Sequence, residues 1–248
     1  TGFISFTHGF KSGGFNLDST AAASGGDPRF DSELIDSWEV GIKSELFDRR
    51  LRANLALFDY DLEDFQVLEF TGTQFTTFNV PNAKSRGAEL ELLASPAEGL
   101  DLMFGITYAD SRYPSDCDEG IPTPNVSTLC GADFTNAPEI VVTAGFGYDG
   151  YIGSDLVYFL SGNVRWEDDR RTSTQPDLAF DIQGDNAKAN LRVGIGSADG
   201  SWTVELWGVN ITDKQTKNVT FNTPLRVASR SVFLEAPRTY GITVRTEM

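Results

Sequence analysis

An all-β fold, and within that class a transmembrane antiparallel β-barrel, is predicted by three features of the sequence. Segments of about ten residues alternate apolar side chains with polar or small ones, the strand period of two at a length that crosses a bilayer. Tight turns rich in Gly, Asp, Ser and Pro alternate with long polar connections. The alternation persists through EAPRTYGITVRTEM at 235–248, whose apolar side, Tyr240, Ile242, Val244 and Met248, needs something to cover it.

Composition limits the function classes. The 248 residues hold 40% hydrophobic and 12% aromatic side chains, with 18 Phe against 2 Met. That suffices for one large β unit or two ordinary domains. Nowhere is there the run of about 18 apolar residues that a membrane-spanning helix needs, and this criterion does not touch barrels, whose strands hide apolar side chains by alternation. A net charge of −16 argues against nucleic acid as a partner, since phosphate neutralisation requires clustered Lys and Arg.

Ten strands are expected, near residues 2–10, 36–46, 51–70, 74–94, 100–111, 138–148, 156–167, 187–196, 202–212 and 237–248. SWEVGIKSEL places Trp38, Val40, Ile42 and Leu46 on one side and Glu39, Gly41, Lys43 and Glu45 on the other. LDLMFGITY sets Phe104, Ile106 and Tyr108 against Gly105 and Thr107, and PEIVVTAGFGY sets Val142 and Phe146 against Thr143 and Gly145. LVYFLSGNVRWE carries Leu160, Val164 and Trp166 opposite a side that turns polar at Ser161, Asn163, Arg165 and Glu167.

FDRR, ASPAEG, DGYIGSD and GSADGS read as tight turns, whereas 11–33, 112–136, 168–185 and 213–235 are long links. The segment 51–70 is overlong for one crossing and is followed only by TGTQ, which predicts a hairpin standing above the membrane. Short turns on one side and long loops on the other are the arrangement of outer-membrane barrels. On this reading Val40, Phe104, Ile106 and Val142 face lipid, and Glu39, Gly105 and Thr143 face the lumen. Gly41, Gly87, Gly105, Gly145, Gly194 and Gly241 fall at inward positions and fill little space, which suits a wide barrel better than a narrow one of ten strands.

A soluble β-sandwich also alternates and also has loops of mixed length. Against it, the apolar sides end in Tyr108, Tyr148, Trp166 and Trp202, as in interfacial girdles. The opposite sides are polar or Gly rather than a second core. A passive porin-like channel stays open on pattern alone.

Five blocks carry a family resemblance: FISFTHGFKSGGFN at 3–16, SWEVGIKSELFDRRLRANLALFDYDLEDFQV at 37–67, NAKSRGAELEL at 82–92, WTVELWGVNITDK at 202–214 and APRTYGITVRTEM at 236–248. In this order they resemble the C-terminal half of TonB-dependent outer-membrane receptors. The resemblance implies that residues 1–248 form the C-terminal portion of a barrel of about 22 strands, a size that holds a plugged lumen. The plug and the TonB box would lie upstream, outside this sequence. It further implies a location in the bacterial outer membrane and uptake of a scarce nutrient, above all a ferric siderophore, driven by the TonB complex, with no enzymatic activity and no cofactor. The sequence itself does not choose the siderophore over cobalamin, a saccharide or another chelate. The last strand, with Tyr240, Gly241, Ile242, Val244 and Met248, resembles the signal read by the barrel-insertion machinery, although Met248 stands where an aromatic is common. Partners so implied are the plug and remaining strands, TonB through the plug, the insertion machinery, outer-membrane lipid and a small-molecule or chelate ligand.

Few residues invite a catalytic role. His8 is the single histidine, with no Ser or Cys partner at a catalytic spacing. The acidic stretches 115–120 and 168–169 lack the ordered alternation of a calcium loop and read as solvated charge. Cys117 and Cys130 share one long link, and an even pair closing a short loop outside the cytoplasm reads as a disulfide. Such a ring restricts the unfolded loop by about 3 kcal/mol in chain-entropy terms. For ligand capture, Arg170 and Arg171 can meet an anionic chelate through charge-assisted hydrogen bonds, and Tyr113 can supply stacking surface. The competing assignment pairs the two Arg with Asp168 and Asp169.

Overall fold

The computed structural model describes residues 1–17, 27–70, 74–115, 129–174 and 179–247. In chain order the strands are β1 (Gly2–Lys11), β2 (Gly14–Phe15), β3 (Arg29–Phe30), β4 (Glu33–Leu46), β5 (Leu51–Phe70), β6 (Phe75–Ala97), β7 (Leu100–Arg112) and β8 (Ile140–Ile152). There follow β9 (Leu156–Glu167), β10 (Arg170–Arg171), β11 (Ile182–Gln183), β12 (Asn186–Ser197), β13 (Trp202–Val209), β14 (Lys217–Asn222), β15 (Arg230–Leu234) and β16 (Thr239–Thr246). Ten of them form one sheet in the order β1-β4-β5-β6-β7-β8-β9-β12-β13-β16. Each is antiparallel to its neighbour, as chain-adjacent hairpins require. These are the ten strands expected from the alternation.

Register shows what the alternation does. Ile42, Leu55, Leu90, Ile106, Val142, Trp166 and Ala187 are paired in turn across seven strands. One residue along, the same strands pair Lys43, Asn54, Glu91, Gly105, Thr143, Arg165 and Lys188. Because adjacent positions of a strand point to opposite faces, one face of the sheet is apolar and the other polar. Val40 and Phe104 share the apolar face with Ile106 and Val142, while Glu39 lies on the polar face with Gly105 and Thr143, as the sequence pattern predicts.

Burial separates the barrel from the sandwich. Ile4, Ile42, Leu206, Ile242 and Val244 on the apolar face are each more than half exposed. A sandwich buries this face against a second sheet. Here the buried apolar residues Val67, Val80, Tyr113 and Leu129 cluster instead beyond one end of the sheet, where the long links lie. A broad apolar surface left open on a β-sheet is not the packed inner face of a sandwich.

Three expectations need adjustment. The tight turn after Tyr148 comes later than expected: β8 runs on to Ile152, paired with Leu156, and the reversal occupies residues 153–155 around Gly153, whose φ is +65°. The long links carry structure of their own, in the two-stranded pairs β2-β3, β10-β11 and β14-β15. The inward glycines do lie on the polar face, but the space above them is taken. Phe3, Phe58, Met103, Phe159 and Trp207 sit directly opposite Gly41, Gly87, Gly145, Gly194 and Gly241, and each lies where a Cβ would go. Large side chains thus lie against the wall over a missing neighbour instead of projecting from it.

Gly87 is the tightest of these positions, because an added methyl overlaps the Tyr108 carbonyl oxygen and comes within 2.7 Å of the Phe58 ring. Backbone cannot give way as a side-chain tip can, so Gly87→Ala is expected to cost on the order of 1–3 kcal/mol and to lower the yield of folded barrel. Gly147→Ala, on the same face with nothing within 4 Å, is the matched control. Equal folded yields for the two, measured as heat-modifiable protein on a gel, would show that the close approach is not real.

Candidate functional site

At the long-loop end, strand tips and links meet in two polar clusters. Arg170 of β10 is 7% exposed, and its guanidinium donates to Glu167 at the end of β9, to Glu235 at 2.9 Å and to the Lys217 carbonyl at 3.1 Å. Asn186, opening β12, donates to the same Glu167 at 3.0 Å. Lys188 pairs with Glu235 and donates to Thr216 at 2.5 Å. The group lines a cavity of about 260 Å³ together with Asn136, Arg165 and Asn218. Burial pushes the Glu235 carboxyl up, but hydrogen bonds from Lys188 and Thr216 and the charges of Lys188 and Arg170 outweigh it, leaving the group below its ordinary value of 4.5.

The second cluster joins β10-β11 to β14-β15. Arg230 donates to Asp181 Oδ2 at 2.6 Å and Thr220 to Asp181 Oδ1 at 2.6 Å, while the Thr172 and Thr220 hydroxyls lie 2.8 Å apart. Asp181, Thr172 and Thr220 are all buried. A buried carboxylate is tolerable only with such partners. On the other face of the β14-β15 hairpin, Phe221 meets Phe70, Phe75 and Phe233 with ring centroids 5.2, 5.8 and 5.6 Å away.

The residues named for ligand capture separate in space. Tyr113 is buried, with ring centroids 6.0 Å from Phe65 and 5.0 Å from Phe134, so its faces are occupied by the protein; burial also pushes its phenol up. Arg170 does pair with carboxylates, but with Glu167 and Glu235 instead of Asp168 and Asp169. The reason is that β10 turns its side chain back onto the sheet. Arg171 lines a separate cavity of about 80 Å³ with Asp110, Arg112, Asp133, Glu139, Asp168 and Asp169, and its buried Nε has no hydrogen-bond partner among the described residues. Cys130 lies beside buried Leu129, while Cys117 falls outside the described residues, as does Met248. Tyr240, Ile242 and Val244 stand exposed on the apolar face of β16, and Gly241 lies under the Trp207 ring.

Sequence reading missed Glu235, Lys188, Asp181, Arg230 and the four phenylalanines. A signal was present for some: NVTFN and RSVFL inside the long link alternate as strands do. Their partner Asp181, 39 residues from Thr220 and 49 from Arg230, left no such trace. Among the described residues no group of three or more His, Cys, Asp or Glu is placed to hold a metal ion.

This architecture matches known proteins. The ferric yersiniabactin uptake receptor FyuA from Yersinia pestis superposes with a TM-score of 0.80 at 17% identity, over 99% of this chain and 34% of that one. The ferric preacinetobactin receptor BauA from Acinetobacter baumannii gives 0.67 at 18% identity, over 98% and 33%. The pyoverdine outer-membrane receptor FpvA from Pseudomonas aeruginosa gives 0.64 at 18% identity, over 100% and 34%. The chain therefore spans about a third of the length of each of these receptors. The family described as TonB dependent receptor-like, beta-barrel, matches residues 1–223. That match covers most of the chain, and the chain belongs to the TonB-dependent receptor β-barrel family.

Proposed function

We propose that this chain forms part of the wall and outer loops of an outer-membrane active-transport receptor for a ferric siderophore, energised by the TonB complex. What carries the reading is that the solved structures it matches along its whole length are receptors for ferric yersiniabactin, ferric preacinetobactin and pyoverdine. The apolar face then meets lipid and the polar face lines the lumen. Within the ten-stranded sheet β1 and β16 each have a single neighbour. Unpaired N–H and C=O groups in lipid cost several kcal/mol each, so these edges pair with further strands of a larger barrel. TonB acts through the plug, and the insertion machinery reads β16.

Ligand contact at the outer end falls to Arg171, with Arg170 and Tyr113 holding the loops in place. The Cys117–Cys130 disulfide pins the link between β7 and β8. Mass spectrometry of non-reduced peptides is expected to find 117 and 130 joined, and two free thiols would remove the bond.

The functional test uses the complete receptor in an outer-membrane host that lacks its own ferric-siderophore receptors. Uptake of radioiron-labelled chelates is expected to saturate and to stop when a protonophore collapses the inner-membrane gradient. Unsaturable entry that ignores the protonophore would make the protein a passive channel.

A further inference from the structure

The hairpin of β5 and β6 is longer than any crossing needs, and its outer part, residues 64–70 and 74–82, touches every other long link. From the link between β1 and β4, the Asn16 side-chain amide bonds to both backbone groups of Thr77, at 2.8 Å each, as a neighbouring strand would. Asn79 returns the arrangement, accepting from Asp31 N at 2.7 Å and donating to Asp31 O at 3.0 Å. The link between β7 and β8 packs Tyr113, Leu129 and Phe134 against Phe65, Val67 and Val80. From the link between β9 and β12, the Thr174 hydroxyl donates to the Leu68 carbonyl at 3.3 Å. The link between β13 and β16 places Phe221 on Phe70 and Phe75.

The last contact is the most informative. In sheet order β6, which opens with Phe75, is fourth and β13 ninth, and Phe70 on β5 is one strand farther still. Five strand intervals of about 4.8 Å put roughly 24 Å of wall between β6 and β13. A ring contact at 5.2 Å between Phe70 and Phe221 therefore crosses over the sheet's end instead of following the wall. Val67, Glu69, Phe70, Thr76 and Val80 of the hairpin are buried, at the end of the molecule where most of the buried residues lie.

We propose that residues 64–70 and 74–82 are the hub of the long-loop end: the four links order and open through this hairpin as one unit, so its residues set the stability of loops they never touch. The physical basis is a shared support. Links with few buried contacts of their own open at low cost, and elements that lean on one packed post lose their partners together when it loosens. The proposal does not depend on which ligand is carried.

The test is hydrogen exchange, read by mass spectrometry on the complete receptor in detergent. Besides contacts within the hairpin itself, to Val80 for Val67 and to the Asp64 carbonyl for Asn79, Val67→Ala touches the link between β7 and β8 and Asn79→Ala the link between β1 and β4. Each is expected to speed exchange by about tenfold in peptides covering 27–33, 129–139 and 217–234 alike, with 100–108 unchanged. Faster exchange confined to the hairpin and the one link that each variant touches would overturn the hub, because the loops would then rest on the hairpin independently. If Val67→Ala fails to insert, Asn79→Ala decides alone, by the response of 217–234.

Discussion

Ile106→Arg is expected to prevent most of the protein from reaching a stable folded state, while Thr107→Arg is tolerated. The two positions are adjacent in β7 but open onto opposite faces. Ile106 is paired with Leu90 and Val142 in the middle of the apolar row; Thr107 is paired with Glu89 and Val141 on the polar face. A guanidinium held against acyl chains near the bilayer midplane costs about 2–4 kcal/mol. The same group at 107 stays in the polar interior beside Glu89, where an opposite charge directly across the strand pair is favourable. Folded fraction after insertion, followed by denaturant unfolding in lipid, measures both. Equal damage from the two substitutions would mean that the face assigned to lipid does not meet it.

Arg170→Met is expected to have the other large effect, confined to the outer loops. Its guanidinium is nine-tenths buried and serves Glu167, Glu235 and the Lys217 carbonyl at once. Removing one member of a buried pair leaves the others uncompensated, at about 3–5 kcal/mol. Limited proteolysis should then open 168–185 and 214–238 while the transmembrane strands stay intact. Acid acts on the same joint. Glu235 has its pKa depressed in the fold, so its contribution is present above the ordinary value of 4.5 and is lost as pH falls through the lower folded value. The loops of the unsubstituted protein should therefore resist proteolysis down to that region and open below it. Loops that stay closed in Arg170→Met would show that the cluster is not what holds them.

How much of this was legible in the sequence differs between wall and loops. The wall was nearly complete: ten strands, four tight turns and the two faces follow from the period of two, because in a barrel each residue's environment is set by its own parity. A strand such as LDLMFGITY carries its instructions locally. The ligand candidates fared differently. Tyr113 looked like an exposed aromatic in a polar link, yet Phe65 and Phe134 close over it, and nothing near Tyr113 in sequence names them. Arg170 had two aspartates beside it, and sequence proximity pointed there; its partners are Glu167, three residues back, and Glu235, 65 residues away. Local pattern cannot rank a neighbour in sequence against a neighbour in space.

By itself the sequence determined the class of fold, the strand count, the sides of the sheet and the family, all of which depend on alternation and on short blocks kept in order. Only the tertiary structure decided that the long links fold into hairpins, that Phe3, Phe58, Phe159 and Trp207 lie over glycines of the adjacent strand, and that four links converge on residues 64–70 and 74–82. The physical reason is one of range. Parity along a strand is fixed by covalent geometry, residue by residue. The buried ion pairs and ring contacts of the loop end depend on which distant backbones the register of the wall brings together, and that register exists only once the sheet has formed.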